Sequence, residues 1–218
     1  MNAIEIVTGS NPTRAVIWLH GLGADGHDFA PIVPELGLPS FLSVRFVFPH
    51  APLMPVTING GYVMPAWYDV KSQDLRQEED SKGIRVSQQA VEALIQRELA
   101  RGIEPSSIVL AGFSQGGAIA LHTGLRYNAP LAGVLALSTY LPLPHSLITE
   151  ASPANAAVPV FMAHGTADSV IPPCQGAASR DLLRQLDYAV EWHEYAMAHS
   201  VCAAEITDIG VWLAQVLA

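Results

Sequence analysis

Short, β-branched apolar runs alternate along this chain with longer segments of helical period, and few architectures satisfy that alternation. Residues 14–20 (RAVIWLH), 43–50 (SVRFVFPH), 106–112 (SSIVLAG), 132–138 (AGVLALS), 158–165 (VPVFMAHG) and 189–195 (AVEWHEY) read as strands. Residues 80–102 read as a helix, with Ile84, Val91, Leu94, Ile95 and Leu99 at helical spacing and Gly102 as a stop. Residues 115–127, 176–187 and 202–217 read as further helices. Strands that are apolar throughout need cover on both faces. The expected class is therefore α/β, a mainly parallel sheet with helices on both faces. Reactive groups in such sheets gather beyond the carboxyl ends of the strands. Here those places follow residues 20, 50, 112, 138, 165 and 195.

A chain of 218 residues that is half apolar has enough material for one substantial core, so 1–218 is read as a single domain. Charged residues make up only 14% of it, which argues against disorder. The net charge of -9 and the lack of any Lys/Arg cluster exclude a general nucleic-acid binder. Cys174 and Cys202 have no metal-ligand spacing and make no disulfide framework, so both are read as reduced thiols. The segment MNAIEIVTGS lacks a basic region followed by an apolar stretch, so no secretory signal is expected. No run of about 18 apolar residues occurs, so no stable membrane insertion is expected and the cytoplasm is the default compartment.

Residues 49–79 break the alternation. The segment is rich in proline, carries the pair Gly60-Gly61, and holds Met64, Trp67 and Tyr68. A long loop in a compact domain is usually functional or disordered, and these large apolar groups argue for the first. It is read as an excursion over the carboxyl edge of the sheet, walling a pocket.

Within AGFSQGGAIA (111–120), Ser114 stands between Gly112 and Gly116, after a strand and before a helix. Strand, sharp turn and helix are the setting in which G-x-S-x-G presents a nucleophile. The glycines make room where strand and helix crowd the bend. The helix start aims unpaired N–H groups at the turn, so the Gln115 N–H is an oxyanion donor candidate.

A serine hydroxyl needs a base, and the base needs orienting. In this architecture the acid and then the histidine follow the serine along the chain. Of eight histidines, His20, His27 and His50 precede Ser114, His122 lies in a helix, His145 in a proline-rich loop, and His164 and His193 on strands or at their ends. His199, in a loop at the carboxyl edge, is the expected base. Asp168 is the one carboxylate in the loop after residues 158–165 and is the expected acid, with His164 in support. Asp181 and Asp187 read as solvated or capping charges. The loop WLHGLGADGHDF (18–29) supplies the second oxyanion donor, for which Leu22 is the choice. His20 and His27 with Asp28 offer no third convergent ligand at metal-site spacing, so no metal is expected.

These residues, with LHGLGADGHDF, PHAPLMPVTINGGYVMPAWYD, GFSQGGAIAL, LAGVLALSTYLPL, HGTADSVIP and MAHSVC in that order, resemble the phospholipase/carboxylesterase (acyl-protein thioesterase) family of α/β-hydrolases over nearly the whole chain. The resemblance implies an α/β-hydrolase fold, no metal or organic cofactor, and a small acyl ester or thioester as substrate. It places nucleophile, acid and base on Ser114, Asp168 and His199, and the oxyanion donors on Leu22 and Gln115. It gives Met64 and Trp67 a substrate-lining role, and a homodimer is the candidate assembly. Where animal thioesterases carry SCWLP, this chain reads STYLP at 138–142, so Thr139 and Tyr140 alter the expected pocket wall. The resulting expectation is a serine carboxylesterase for short to medium acyl esters. The alternative is an acyl-protein thioesterase or lysophospholipase. A non-catalytic ligand-binding protein, which would normally lack a member of the triad, and a cysteine enzyme using Cys202 rank below both.

Overall fold

The computed structural model describes residues 1–72 and 78–218. In chain order the strands are β1 (Ala3–Val7), β2 (Arg14–Leu19), β3 (Val44–Pro49), β4 (Leu53–Val56), β5 (Tyr62–Pro65), β6 (Ile108–Phe113), β7 (Gly133–Leu137), β8 (Val160–Gly165) and β9 (Val190–Tyr195). The helices are α1 (Ser81–Ala100), α2 (Gln115–Gly124), α3 (Pro144–Glu150), α4 (Pro173–Gln185) and α5 (Ala203–Val216). Among the described residues seven strands form one sheet in the order β1-β3-β2-β6-β7-β8-β9, and every pair is parallel except β1 with β3.

Side-chain alternation divides the sheet between two cores. Ala15, Ile17 and Leu19 of β2, with Leu110 of β6 and Met162 of β8, face α1, α2 and α4. Val16 and Trp18 of β2, with Phe46, Leu135 and Phe161, face α5 and a short 3-10 turn at Ala30–Leu36. Because both faces are covered, β2, β6, β7 and β8 are buried almost end to end. That explains their unbroken apolar runs and leaves the carboxyl ends as the accessible edge.

Several elements among the described residues differ from the reading of the sequence. β1 adds an antiparallel edge strand at Ala3–Val7. The 3-10 turn follows the glycine-rich loop. His145 stands in the short helix α3 rather than in a loop. The excursion holds a two-stranded ribbon, with Leu53 opposite Pro65 and Pro55 opposite Val63. Proline is tolerated there because an isolated ribbon leaves N–H positions that no further strand needs. Of the expected 49–79 excursion, residues 73–77 lie outside the described residues.

Helix α5 begins shortly after His199 and carries a buried acid in its first turn. Glu205 is fully buried, and neither carboxylate oxygen closes a hydrogen bond. Burial raises its pKa to about 7 from an ordinary 4.5, the Cys202 N–H opposes the rise, and Asp208 adds to it. The folded protein therefore holds this proton more tightly than the unfolded chain. Its contribution to stability is full below pH 4.5 and is lost as pH rises through about 7. Glu205→Gln, neutral throughout, is expected to be roughly 2–3 kcal/mol more stable than the parent above pH 7, with the gap closing as pH falls. Urea midpoints measured across pH check this, and a gap independent of pH would contradict it.

Candidate active site

The bend between β6 and α2 is held in a conformation that costs energy. Ser114 has φ 55 and ψ -122, a region sparsely populated by residues with a Cβ. Such strain persists only where the surroundings over-determine it. Here the Ser114 N–H donates to the Leu137 carbonyl at 2.8 Å, and its carbonyl accepts from the Ala118 N–H at 3.1 Å and the Thr139 hydroxyl at 2.7 Å. Both flanking glycines are steric necessities. A Cβ on Gly112 would run into the backbone of Gly116, and one on Gly116 into the carbonyls of Leu19 and His20.

This geometry lifts Ser114 Oγ to 2.9 Å from Nε2 of His199, and Nδ1 of His199 lies 2.7 Å from Oδ2 of Asp168. His199 comes from the turn after β9, and its ring lies 4.7 Å from that of Phe113. Asp168 comes from the turn after β8. Its Oδ1 accepts the N–H groups of Val170 and Ile171, each at 2.9 Å, which fixes the carboxylate. His164 lies behind it, with Nε2 3.4 Å from Asp168 Oδ2 and 2.8 Å from the Ile171 carbonyl. The three residues singled out from the sequence thus form one continuous hydrogen-bonded chain, able to pass a proton from hydroxyl to imidazole.

The Leu22 and Gln115 N–H groups border the same space, and among the described residues neither has a hydrogen-bond acceptor. The loop carrying Leu22 is fastened by His20, which the sequence reading passed over as a partner of the serine. His20 Nδ1 donates to the Gly21 carbonyl at 2.7 Å, and its Nε2 accepts the Ala51 N–H at 3.0 Å. Burial, the largest influence, lowers its pKa and keeps this tautomer neutral. The Gly23 N–H donates to the Pro65 carbonyl at 2.9 Å, joining the loop to the excursion.

Around Ser114 opens a cavity of about 700 Å³, lined on its apolar side by Leu22, Ile58, Tyr68, Val70, Tyr140 and Ile171. From the excursion, Ile58, Asn59, Tyr68 and Val70 line it, none of them a lining residue named from the sequence. Neither Met64 nor Trp67 lines it. Trp67 is 2% exposed and points into the core, where its indole N–H donates to the His20 carbonyl at 2.9 Å. Its backbone N–H donates to Gln115 Oε1 at 2.8 Å, and its carbonyl accepts from the Ser87 hydroxyl. Met64 sits against the outer turn at Gly23 and Asn59. Tyr68, next to Trp67, and Tyr140, in the STYLP segment, supply the wall. On the other side of Phe113 and His199 lies a more open groove of about 420 Å³, reaching Ser200, Val201 and Ile206.

Both cysteines are free, and Cys202 caps α5. Asp25, His27 and His50, a different trio from the one weighed in the sequence, bring ligand atoms within 4.8 Å of one another. Local bonds account for that trio. Asp25 takes the backbone and ring nitrogens of His27, and His50 Nδ1 takes the Gly26 N–H. Among the described residues no helix is long and apolar enough to cross a membrane.

Known proteins resemble this arrangement along its length. The chain is 42% identical over 212 residues to acyl-protein thioesterase 1 of Neurospora crassa, covering 93% of this chain and 86% of that protein. The crystal structure of Arabidopsis thaliana SOBER1 superposes with a TM-score of 0.89 at 30% identity, over 94% of this chain and 99% of that one. That of Zea mays acyl-protein thioesterase 2 gives 0.84 at 28% identity over the whole of both chains. The sequence profile described as phospholipase/carboxylesterase matches residues 1–217. With the fold, the sheet edge and the relatives in agreement, the chain belongs to the phospholipase/carboxylesterase family and is a serine hydrolase.

Proposed function

We propose that this enzyme hydrolyses acyl thioesters, and esters with the same machinery, by two-step acyl transfer. His199 takes the proton of Ser114 as Oγ attacks the acyl carbonyl. The N–H groups of Leu22 and Gln115 hold the oxygen that becomes negative. Asp168 keeps the imidazole in the tautomer that accepts from serine and stabilises its charged form. The thiol or alcohol leaves with the proton from His199, and water then releases the acid by the same route. The observation that carries this reading is the chain Ser114–His199–Asp168, with links of 2.9 and 2.7 Å, opening on an apolar cavity beside two unpaired N–H donors.

The carboxylesterase expectation gives way to its alternative on the relatives. Proteins 38–42% identical to this chain carry the name acyl-protein thioesterase 1. The test compares octanoyl groups on a peptide thiol, on p-nitrophenol and on a lysophospholipid. The thioester is expected to give the highest kcat/KM, with a fluorophosphonate adduct located on Ser114 by mass spectrometry. Preference for the lysophospholipid or the oxyester would replace the thioester reading, and an adduct elsewhere would overturn the mechanism.

A further inference from the structure

Beyond the catalytic cavity lies a small hollow lined by Asp69, Lys71, Glu79 and Asp80. Tyr68, Val70 and Tyr140 line both spaces, so they form the partition between them. Each tyrosine is 3% exposed, and their hydroxyls meet at 2.9 Å. The two rings come from distant regions of the chain, one from the excursion and one from the turn after β7. The hydroxyl contact joins them within one buried cluster.

The reacting groups fix which end of a substrate meets this partition. The oxyanion lies toward Leu22 and Gln115. The leaving group must receive its proton from His199, which places it toward Phe113 and the open groove. The acyl chain is left with the remaining apolar side, bounded by Ile58, Val70 and the two tyrosines. We propose that the hydrogen-bonded Tyr68–Tyr140 pair ends the acyl site and sets the length of acyl chain that the enzyme cleaves efficiently.

The physical argument is one of mismatched surfaces. A chain that outgrows the apolar wall must pull the paired, buried hydroxyls away from each other, leaving polar groups without partners against methylenes. It would then meet a small hollow lined largely by charged and polar residues, Lys71 as well as Asp69, Glu79 and Asp80, which offers an alkyl tail little. Burial raises the pKa of both phenols, that of Tyr140 to about 12, so the pair stays neutral and intact across the working pH range. The pair therefore makes short and medium acyl groups the favoured substrates of the site. Tyr68 and Tyr140 become its length-determining residues.

This inference rests on the acyl-transfer reading above, and one experiment separates the two. The kcat/KM values for p-nitrophenyl acetate, butyrate, octanoate and palmitate are measured for the parent protein, Tyr140→Ala, Tyr140→Phe and Tyr68→Phe. In Tyr140→Ala the palmitate-to-acetate ratio is expected to rise by about 10-fold or more, through a lower KM for the long ester. The two phenylalanine variants, which keep the rings and lose the hydroxyl contact, are expected to shift the ratio in the same direction by less. General destabilisation lowers all four rates together and leaves the ratio unmoved. An unchanged ratio in a folded Tyr140→Ala protein overturns the inference. If that variant does not fold, an unchanged ratio in both phenylalanine variants does so. If the parent cleaves none of these esters and no octanoyl thioester, the acyl-transfer reading itself fails.

Discussion

Replacement of Ser114 by alanine is expected to lower turnover of esters and thioesters by about 10⁵–10⁶-fold, with the fold intact. The change removes one oxygen. Its backbone partners, the Leu137 carbonyl, the Ala118 N–H and the Thr139 hydroxyl, all bind the main chain of residue 114 and survive it. Alanine occupies φ 55 at much the same cost as serine, so thermal stability should stay close to that of the parent. On the proposed mechanism a residual rate above that of water is expected, with the Leu22 and Gln115 donors still polarising the carbonyl toward direct attack by solvent. The KM should change little, since the cavity wall is untouched. Near-normal hydrolysis by a folded Ser114→Ala protein would move the nucleophile to another residue.

Asp168→Asn is expected to reduce kcat by about 10⁴-fold while leaving binding nearly intact. The carboxylate uses both oxygens at once. Oδ1 takes two backbone N–H groups and Oδ2 takes Nδ1 of His199. Asparagine has one acceptor oxygen. If that oxygen stays with Val170 and Ile171, its NH₂ group faces His199 and donates to Nδ1. The ring proton then moves to Nε2, which can no longer accept from Ser114. If the side chain turns the other way, the Val170 and Ile171 N–H groups lose their acceptor and the turn loosens. Either outcome lowers kcat, and the second also lowers the melting temperature, so kinetics together with a melting curve tells which orientation prevails. A loss smaller than about 10-fold would mean that His199 is oriented by something other than Asp168.

Much of this was legible in the sequence because backbone sterics leave few options. Only a bend too crowded for a Cβ explains glycines two residues before and after Ser114, and the clashes at Gly112 and Gly116 bear this out. The strands β2, β6, β7 and β8 could be read because burial on both faces writes itself as unbroken apolar runs. What escaped was structure with weaker signatures. β1 is a five-residue edge strand with Glu5 at its centre, and β4 and β5 each contain a proline. The excursion could be recognised as a wall, but which aromatic faces the cavity could not. Trp67 and Tyr68 lie in a bend just past β5, where no period fixes which side chain turns to the cavity. Gln115 decides between them by gripping the backbone of both.

That grip has a mechanical consequence. The carboxamide of Gln115 accepts the Trp67 N–H and donates to the Tyr68 carbonyl at 2.7 Å, while the main-chain N–H of the same residue is the donor proposed for the oxyanion. The proposed boundary and the proposed oxyanion clamp are thus tied through a single residue. On the acyl-transfer reading, a guest too bulky for its berth would have to shoulder the boundary aside and tug the clamp off target, so misfitting acyl groups are expected to be rejected at the bond-breaking step as well as at the door.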